Sequence, residues 1–173
     1  MTGSPDPLYV QARAVLLDAA AALSPHLDSI VLVGAQAIYL HTGSADLAVA
    51  EYTTDADLGI DPTHLAAAPL IDPLLRARGF LPRDQPGGWV SASGVYLDLL
   101  VPEGLAGTGR RSADLGTHGR SAARRSVGLE GCWIDCSSID IRSLDPLDNR
   151  EVAMRVAGPG ALLVANRSAA WRW

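Results

Sequence analysis

The sequence predicts an α/β (α+β) fold, a mixed β-sheet flanked by helices, and three observations carry that prediction. Apolar residues recur at helical spacing near the start of the chain. Short runs rich in β-branched residues, such as Ile30–Val33, are too brief for helices that bury a whole face. Helix-like and strand-like stretches alternate along the chain instead of segregating into halves. With 173 residues, 48% of them hydrophobic, the chain can bury one sizeable core but not two, so residues 1–173 are expected to form a single domain with its core over 29–165.

The elements follow in order. Over residues 8–23, Val10, Ala14, Leu17, Ala20 and Ala21 recur at helical spacing, and Ser24-Pro25 ends the pattern. Ser29-Ile30-Val31-Leu32-Val33 reads as a buried strand stopped by Gly34, and residues 35–41 return to helix. Residues 44–54 have no clean period and are expected to form a loop. From Asp55 to Asp61 carboxylates and a Gly alternate with apolar residues. A strand there places Asp55, Asp57, Gly59 and Asp61 on one face and Ala56, Leu58 and Ile60 on the other. A helix is expected over 62–78, closed by Gly79, then strands at 80–83, 89–92 and 95–101 separated by Gly, Pro and Asp turns. Residues 102–126 read as a glycine-rich loop, segments near 132–135 and 151–157 as strands, and Gly158-Pro159 as the opening of a last helix.

Charge and cysteine usage narrow the function classes. Fourteen basic residues, all Arg, stand against 19 acidic ones for a formal net charge of −5, so nothing global favours nucleic acid or an anionic membrane. The exception is the 102–126 loop, where Arg110, Arg111, Arg120, Arg124 and Arg125 face only Glu103 and Asp114. Cys132 and Cys136 fit neither a disulfide framework nor a zinc knuckle and are read as reduced thiols. Residues 1–7 lack the basic and apolar regions of a signal peptide, and no apolar run nears transmembrane length, so a cytoplasmic protein without a membrane partner is expected.

The chemistry is expected at three acids and one turn. Asp55 and Asp57, side by side on a strand, repel each other unless a cation lies between them, and oxygen-only ligands select Mg²⁺ or Mn²⁺. Asp98, flanked by Leu97 and Leu99, needs a partner for a buried charge, and a metal ion is a natural one. At the Gly34 turn, the backbone N–H groups of Ala35 and Gln36 open a helix and offer an anion site for phosphate. Asp61 precedes Pro62 and reads as a helix-entry residue. His118, Arg120, Arg124 and Arg125 are candidate contacts to nucleotide or RNA phosphate, with a solvated loop as the alternative. Trp89 and Trp133 read as core aromatics.

The order Val33-Gly34-Ala35, helix, Thr54-Asp55-Ala56-Asp57-Leu58, then Leu97-Asp98-Leu99 resembles the nucleotidyltransferase (polymerase-β-like) superfamily. With Leu40-His41 and the segment 157–165, the chain is most similar to the AbiEii and MenT type of bacterial toxin nucleotidyltransferases, over residues 30–165. The resemblance implies transfer of a nucleoside monophosphate from an NTP to an acceptor hydroxyl. Asp55, Asp57 and Asp98 would be its catalytic and metal-binding residues, Asp98 also helping to deprotonate the acceptor. The toxin branch further implies an RNA acceptor such as a tRNA end, and a cognate antitoxin. Three departures stand out. Ala35 replaces the usual Ser or Gly of the turn, Asn166-Arg167 stands where a Lys is typical, and the chain ends at Trp173, so the C-terminal helix is expected to be cut short. An inactive remnant that retains the fold and perhaps nucleotide binding, and a non-enzymatic interaction protein, stay open as alternatives.

Overall fold

Asp6 starts the first helix: its carboxylate accepts the Leu8 N–H at 2.7 Å, and Pro7 occupies the first turn, where no backbone donor is needed. This helix, α1 (Pro7–Ala22), is followed by a 3₁₀ turn over Ser24–Ser29. The computed structural model describes residues 6–42 and 55–167, so the expected loop at 44–54 lies outside the described residues. The remaining elements are β1 (Ile30–Val33), α2 (Gly34–Thr42), β2 (Asp55–Ile60), α3 (Ile71–Ala77), β3 (Leu81–Pro82), β4 (Gly88–Val90), β5 (Tyr96–Pro102), β6 (Arg124–Ser126), β7 (Cys136–Arg142), β8 (Glu151–Ala157) and α4 (Pro159–Arg167).

The strands form one mixed sheet in the order β3-β4-β5-β2-β1-β8-β7, with β6 added to the far half of β5. The pairs β2–β5, β1–β8 and β5–β6 are parallel; β1–β2, β3–β4, β4–β5 and β7–β8 are antiparallel. The α/β class with a helix-flanked mixed sheet is therefore as the sequence predicts. The central strands β1, β2 and β5 carry the core, with Ile30, Leu32, Leu58, Ile60, Leu97 and Leu99 wholly buried. Being covered on both faces, β1 is a continuous apolar run. No helix among the described residues is long and apolar enough to cross a membrane.

Three expected elements need correction. The helix anticipated over 62–78 exists only as Ile71–Ala77, because residues 61–70 turn instead. Pro69 lacks an N–H and biases Ala68 away from helical backbone, and the carbonyls of Ala66, Ala67 and Pro69 bond to side chains of His118, Thr117 and His26. The strand expected at 132–135 is a 3₁₀ turn over Glu130–Trp133, and the strand begins only at Cys136. The 102–126 loop holds short 3₁₀ turns and ends in β6.

Asp135 explains why the chain turns before β7. Its carboxylate accepts the Ala161 N–H at 2.9 Å, capping α4, and a Cβ on Gly158 would lie 2.0 Å from Asp135 Oδ1. That contact docks α4, which buries Ala161, Leu162 and Ala165. Asp135→Ala is expected to cost about 1 kcal/mol, the usual loss of an N-terminal cap, read as a lower urea midpoint with loss of helical ellipticity. An unchanged midpoint would assign the docking to the apolar contacts alone.

Candidate functional site

Strand register brings the acids together. The β2–β5 pairing sets Asp57 opposite Asp98 and Asp55 opposite Tyr96, and the β1–β2 pairing sets Val33, the last residue before Gly34, opposite Asp57. Laterally paired strands lie about 5 Å apart, so Asp57 and Asp98 are neighbours at the centre of the sheet. They are 5% and 8% exposed, which makes them the most buried carboxylates among the described residues. Burial pushes the Asp57 carboxyl well above the ordinary carboxylate range; the nearby Asp55 and Asp98 charges push it further, against a smaller lowering by Arg124.

Gly34 is the device that closes α2 onto this carboxylate. Its φ of +71° lies in the left-handed region, and a Cβ there would stand 2.3 Å from Asp57 Oδ2. Only glycine meets both conditions. The start of α2 is thereby held against Asp57.

Gln36 has a different role from its neighbours. It is 1% exposed; its Nε2 donates to the Ala12 and Asp55 carbonyls, both at 3.0 Å, and its Oε1 accepts from Arg13 Nε at 3.2 Å. The side chain braces α1, α2 and the first residue of β2, and so fixes Asp55. For a ligand, residues 34–36 offer main chain only. Ala35 is buried. Arg13, 3% exposed, finishes the brace by donating to the Tyr9 hydroxyl at 2.7 Å and the Arg142 carbonyl at 3.2 Å.

Asp98 has the partner its burial demands, and that partner is a guanidinium. Arg124 Nη2 lies 2.7 Å from Oδ2; on Oδ1, Gln85 Nε2 donates at 3.2 Å and Arg83 Nη1 stands at 3.9 Å. Arg83 also stacks over the Tyr96 ring, 3.8 Å from its centroid. Gly87, at φ +73°, makes this cluster geometrically feasible: a Cβ would fall 2.4 Å from the Leu99 carbonyl oxygen and 2.6 Å from the Arg124 nitrogen. The turn before β4 therefore packs flat against β5 and β6. Sequence reasoning missed Arg83 and Gln85, which stand 15 and 13 positions before Asp98 with no motif around them; only the β4–β5 register, with Gly88 opposite Asp98, brings them in.

The other anticipated contacts are largely engaged elsewhere. His118 accepts the Ile71 N–H on Nδ1 at 3.2 Å and donates from Nε2 to the Ala66 carbonyl at 2.8 Å, which pins the 66–71 segment. Arg120 bonds both oxygens of Thr108, and Arg125 bonds the Gly107 carbonyl and Glu103. Of these four, Arg124 alone reaches the acids. Arg110 and Arg111 are exposed and line an open hollow of about 560 Å³ with Pro86 and Ser112. A smaller cavity of about 110 Å³ is lined by Arg83, Gln85, Trp89 and His118, among others.

Asp61 stays outside the site and caps its own turn, accepting from the Thr63 N–H at 2.8 Å and the Thr63 hydroxyl at 2.6 Å. Trp89 is 2% exposed, as a core aromatic should be. Trp133 packs over the site-side face of β2, since a Cβ on Gly59 would meet its ring at 3.0 Å. Cys132 and Cys136 are free thiols, Cys132 pushed up to about 12 by burial and the nearby Glu130 and Asp135 charges.

The donor chemistry of Asp55 and Asp57, neighbouring carboxylates with Asp57 Oδ2 against Gly34, fits a hard divalent cation. A cation fits less well at Asp98, both of whose oxygens are taken by nitrogen donors. Among the described residues no group of three or more His, Cys, Asp and Glu side chains is arranged to hold a metal ion. Comparison of the chain with family models, curated proteins and solved structures returns no match.

Proposed function

We propose that this protein is a metal-dependent nucleotidyltransferase that moves a nucleoside monophosphate from an NTP to an acceptor hydroxyl. The supporting observation is the buried Asp57, pressed between two other carboxylates and the glycine start of α2. A buried carboxylate in acidic company is costly unless a cation compensates it. Its position beside a helix N-terminus suits a ligand that brings phosphate and cation together.

In this reading Asp55 and Asp57 hold Mg²⁺ or Mn²⁺, which when bound would offset triphosphate charge and acidify the acceptor hydroxyl. The chain's own residues do the rest. The main chain at Gly34, Ala35 and Gln36 orients phosphate oxygens, Gln36 fixes Asp55 through its carbonyl, and burial in the apolar sheet keeps bulk water from Asp57. An RNA end such as that of a tRNA is the proposed acceptor, with the Arg110 and Arg111 hollow available to its backbone. A cognate antitoxin is the proposed protein partner.

The test is incubation with labelled NTPs, Mg²⁺ or Mn²⁺ and total tRNA, alongside Asp55→Ala. Label transfer that the variant loses is the expected result, together with a higher melting temperature in Mg²⁺ and NTP, since a ligand of the native state must stabilise it. Absence of both transfer and melting shift would overturn the proposal; a shift without transfer would favour the inactive remnant.

A further inference from the structure

We propose that Arg110, Arg111 and Ser112 form a backbone clamp for an RNA strand, holding its phosphates at the β6 edge of the sheet without reading its bases. That this strand is the acceptor rests on the nucleotidyltransferase reading; the binding itself does not. On a chain of net charge −5, a pair of cations without counter-charges calls for a partner. Arg120, Arg124 and Arg125 each bond to a neighbour, whereas the side chains of Arg110 and Arg111 make no hydrogen bond or ion pair among the described residues. Both are exposed and line the open hollow of about 560 Å³ with Pro86 and Ser112. No carboxylate lines it: Glu103 is paired with Arg125, and Asp114 accepts the Gly116 N–H at 3.1 Å.

The backbone that carries the two arginines is tied to the sheet. The Arg125 N–H donates to the Arg111 carbonyl at 2.8 Å, the Ala113 N–H donates to the Ala123 carbonyl at 3.0 Å, and Ser112 bridges to Arg124. Cross-strand partners share a sheet face, and Arg124 stands opposite Leu100, two residues past Asp98. Ser112 therefore faces the same side as Asp98 and Asp57. The steps from Asp57 to Asp98, to Arg124 and to Ser112 are three strand spacings, roughly 15 Å across the sheet. On the other wall, Pro86 follows Gln85, whose amide donates to Asp98 Oδ1. A strand whose terminal hydroxyl lies at the acids is thus within reach of the hollow with the phosphates behind that end. The lining suits phosphate: guanidinium forks and a hydroxyl donate to its oxygens, and none of the four residues offers an aromatic ring on which a base could stack. An acidic peptide would find only Pro86 for its apolar side chains, where protein interfaces have an apolar centre.

The test is fluorescence anisotropy of a labelled single-stranded RNA oligomer on the full chain, in EDTA and without NTP, over a range of salt. Arg110→Gln and Arg111→Gln should each weaken binding about fivefold and flatten the slope of log affinity on log salt by about 0.7, the signature of one lost phosphate contact. Both side chains are exposed, so neither variant is expected to disturb the fold. Arg142→Gln, at the opposite edge of the sheet, removes the same charge and should change the affinity by less than about twofold. Oligomers of different base sequence should bind alike. No RNA binding by the wild type, affinity indifferent to both hollow arginines, or an equal loss in Arg142→Gln overturns the clamp and leaves the nucleotidyltransferase reading to be judged by label transfer. A sequence preference that the two variants abolish, or displacement of the RNA by an oligoglutamate of equal charge, overturns it as well. RNA binding as expected, with neither label transfer nor an NTP-dependent melting shift, overturns the nucleotidyltransferase reading and leaves the clamp.

Discussion

Asp57→Asn is expected to stabilise the cation-free protein while abolishing its cation binding. Asp57 is buried between Asp55 and Asp98, and only Arg124 acts in its favour, so its ionised form is disfavoured in the folded state. Asparagine keeps the shape and removes the charge. Relief of an uncompensated buried charge is worth on the order of 1–2 kcal/mol here, since the wild type already escapes part of the cost by binding a proton. For a domain of this size that is a rise of roughly 2–8 °C in melting temperature. A melt at pH 8 in EDTA checks it, and an Asn variant no more stable than the wild type would show that Asp57 is compensated by something other than a cation.

The same residue sets a pH dependence whose sign is definite. The folded-state pKa of Asp57 is raised above its unfolded value, so the folded state binds the proton more tightly. Its contribution to stability is fully present below the ordinary carboxylate range and is lost as pH rises through the raised folded value. Cation-free protein should therefore lose stability on going from acid to neutral pH, and Mg²⁺ should restore it at the upper end, where the carboxylate is free to bind. Asp57→Asn should flatten that slope.

Much of this site was legible in the sequence because its signals are local. Alternation over Asp55–Ile60 fixes which residues share a face, and the β-branched run ended by Gly34 fixes a strand and a turn. Asp98 between two leucines was a sound indication of a buried charge, and its burial is observed. The identity of its partner was not legible, because Arg83, Gln85 and Arg124 reach it through the pairing of β4 and β6 on either half of β5, a long-range register that no spacing encodes. The early end of the expected 62–78 helix has the same origin. Its upstream carbonyls serve His118, Thr117 and His26, which lie 43 to 52 positions away from the carbonyls they hold, whereas helical propensity reads only neighbours. Strand β7 escaped notice since Ile139 and Ile141 are its only aliphatic side chains, on an edge of the sheet where one face is polar.

Gly34→Ala is expected to destabilise the fold strongly and to disturb the acid pair with it. Two costs combine. The left-handed backbone at φ +71° disfavours any Cβ by roughly 1–2 kcal/mol, and the new carbon would stand 2.3 Å from Asp57 Oδ2 and 3.1 Å from its Cβ, well inside contact distance. Asp57 has little room to yield, since its strand pairs with β1 on one side and β5 on the other. Relief must come from moving the start of α2, which drags Gln36 away from the Ala12 and Asp55 carbonyls. Overpacking of this kind costs a further 1–3 kcal/mol, for a total of about 3 kcal/mol or more. The double variant Gly34→Ala with Asp57→Ala separates the terms: removing the carboxylate should recover the clash but not the backbone strain. Urea unfolding of the two variants and of Asp57→Ala alone measures the coupling. Additive losses would mean that Gly34 is required for its φ only, and that the close approach of α2 to the acid pair is incidental to the site.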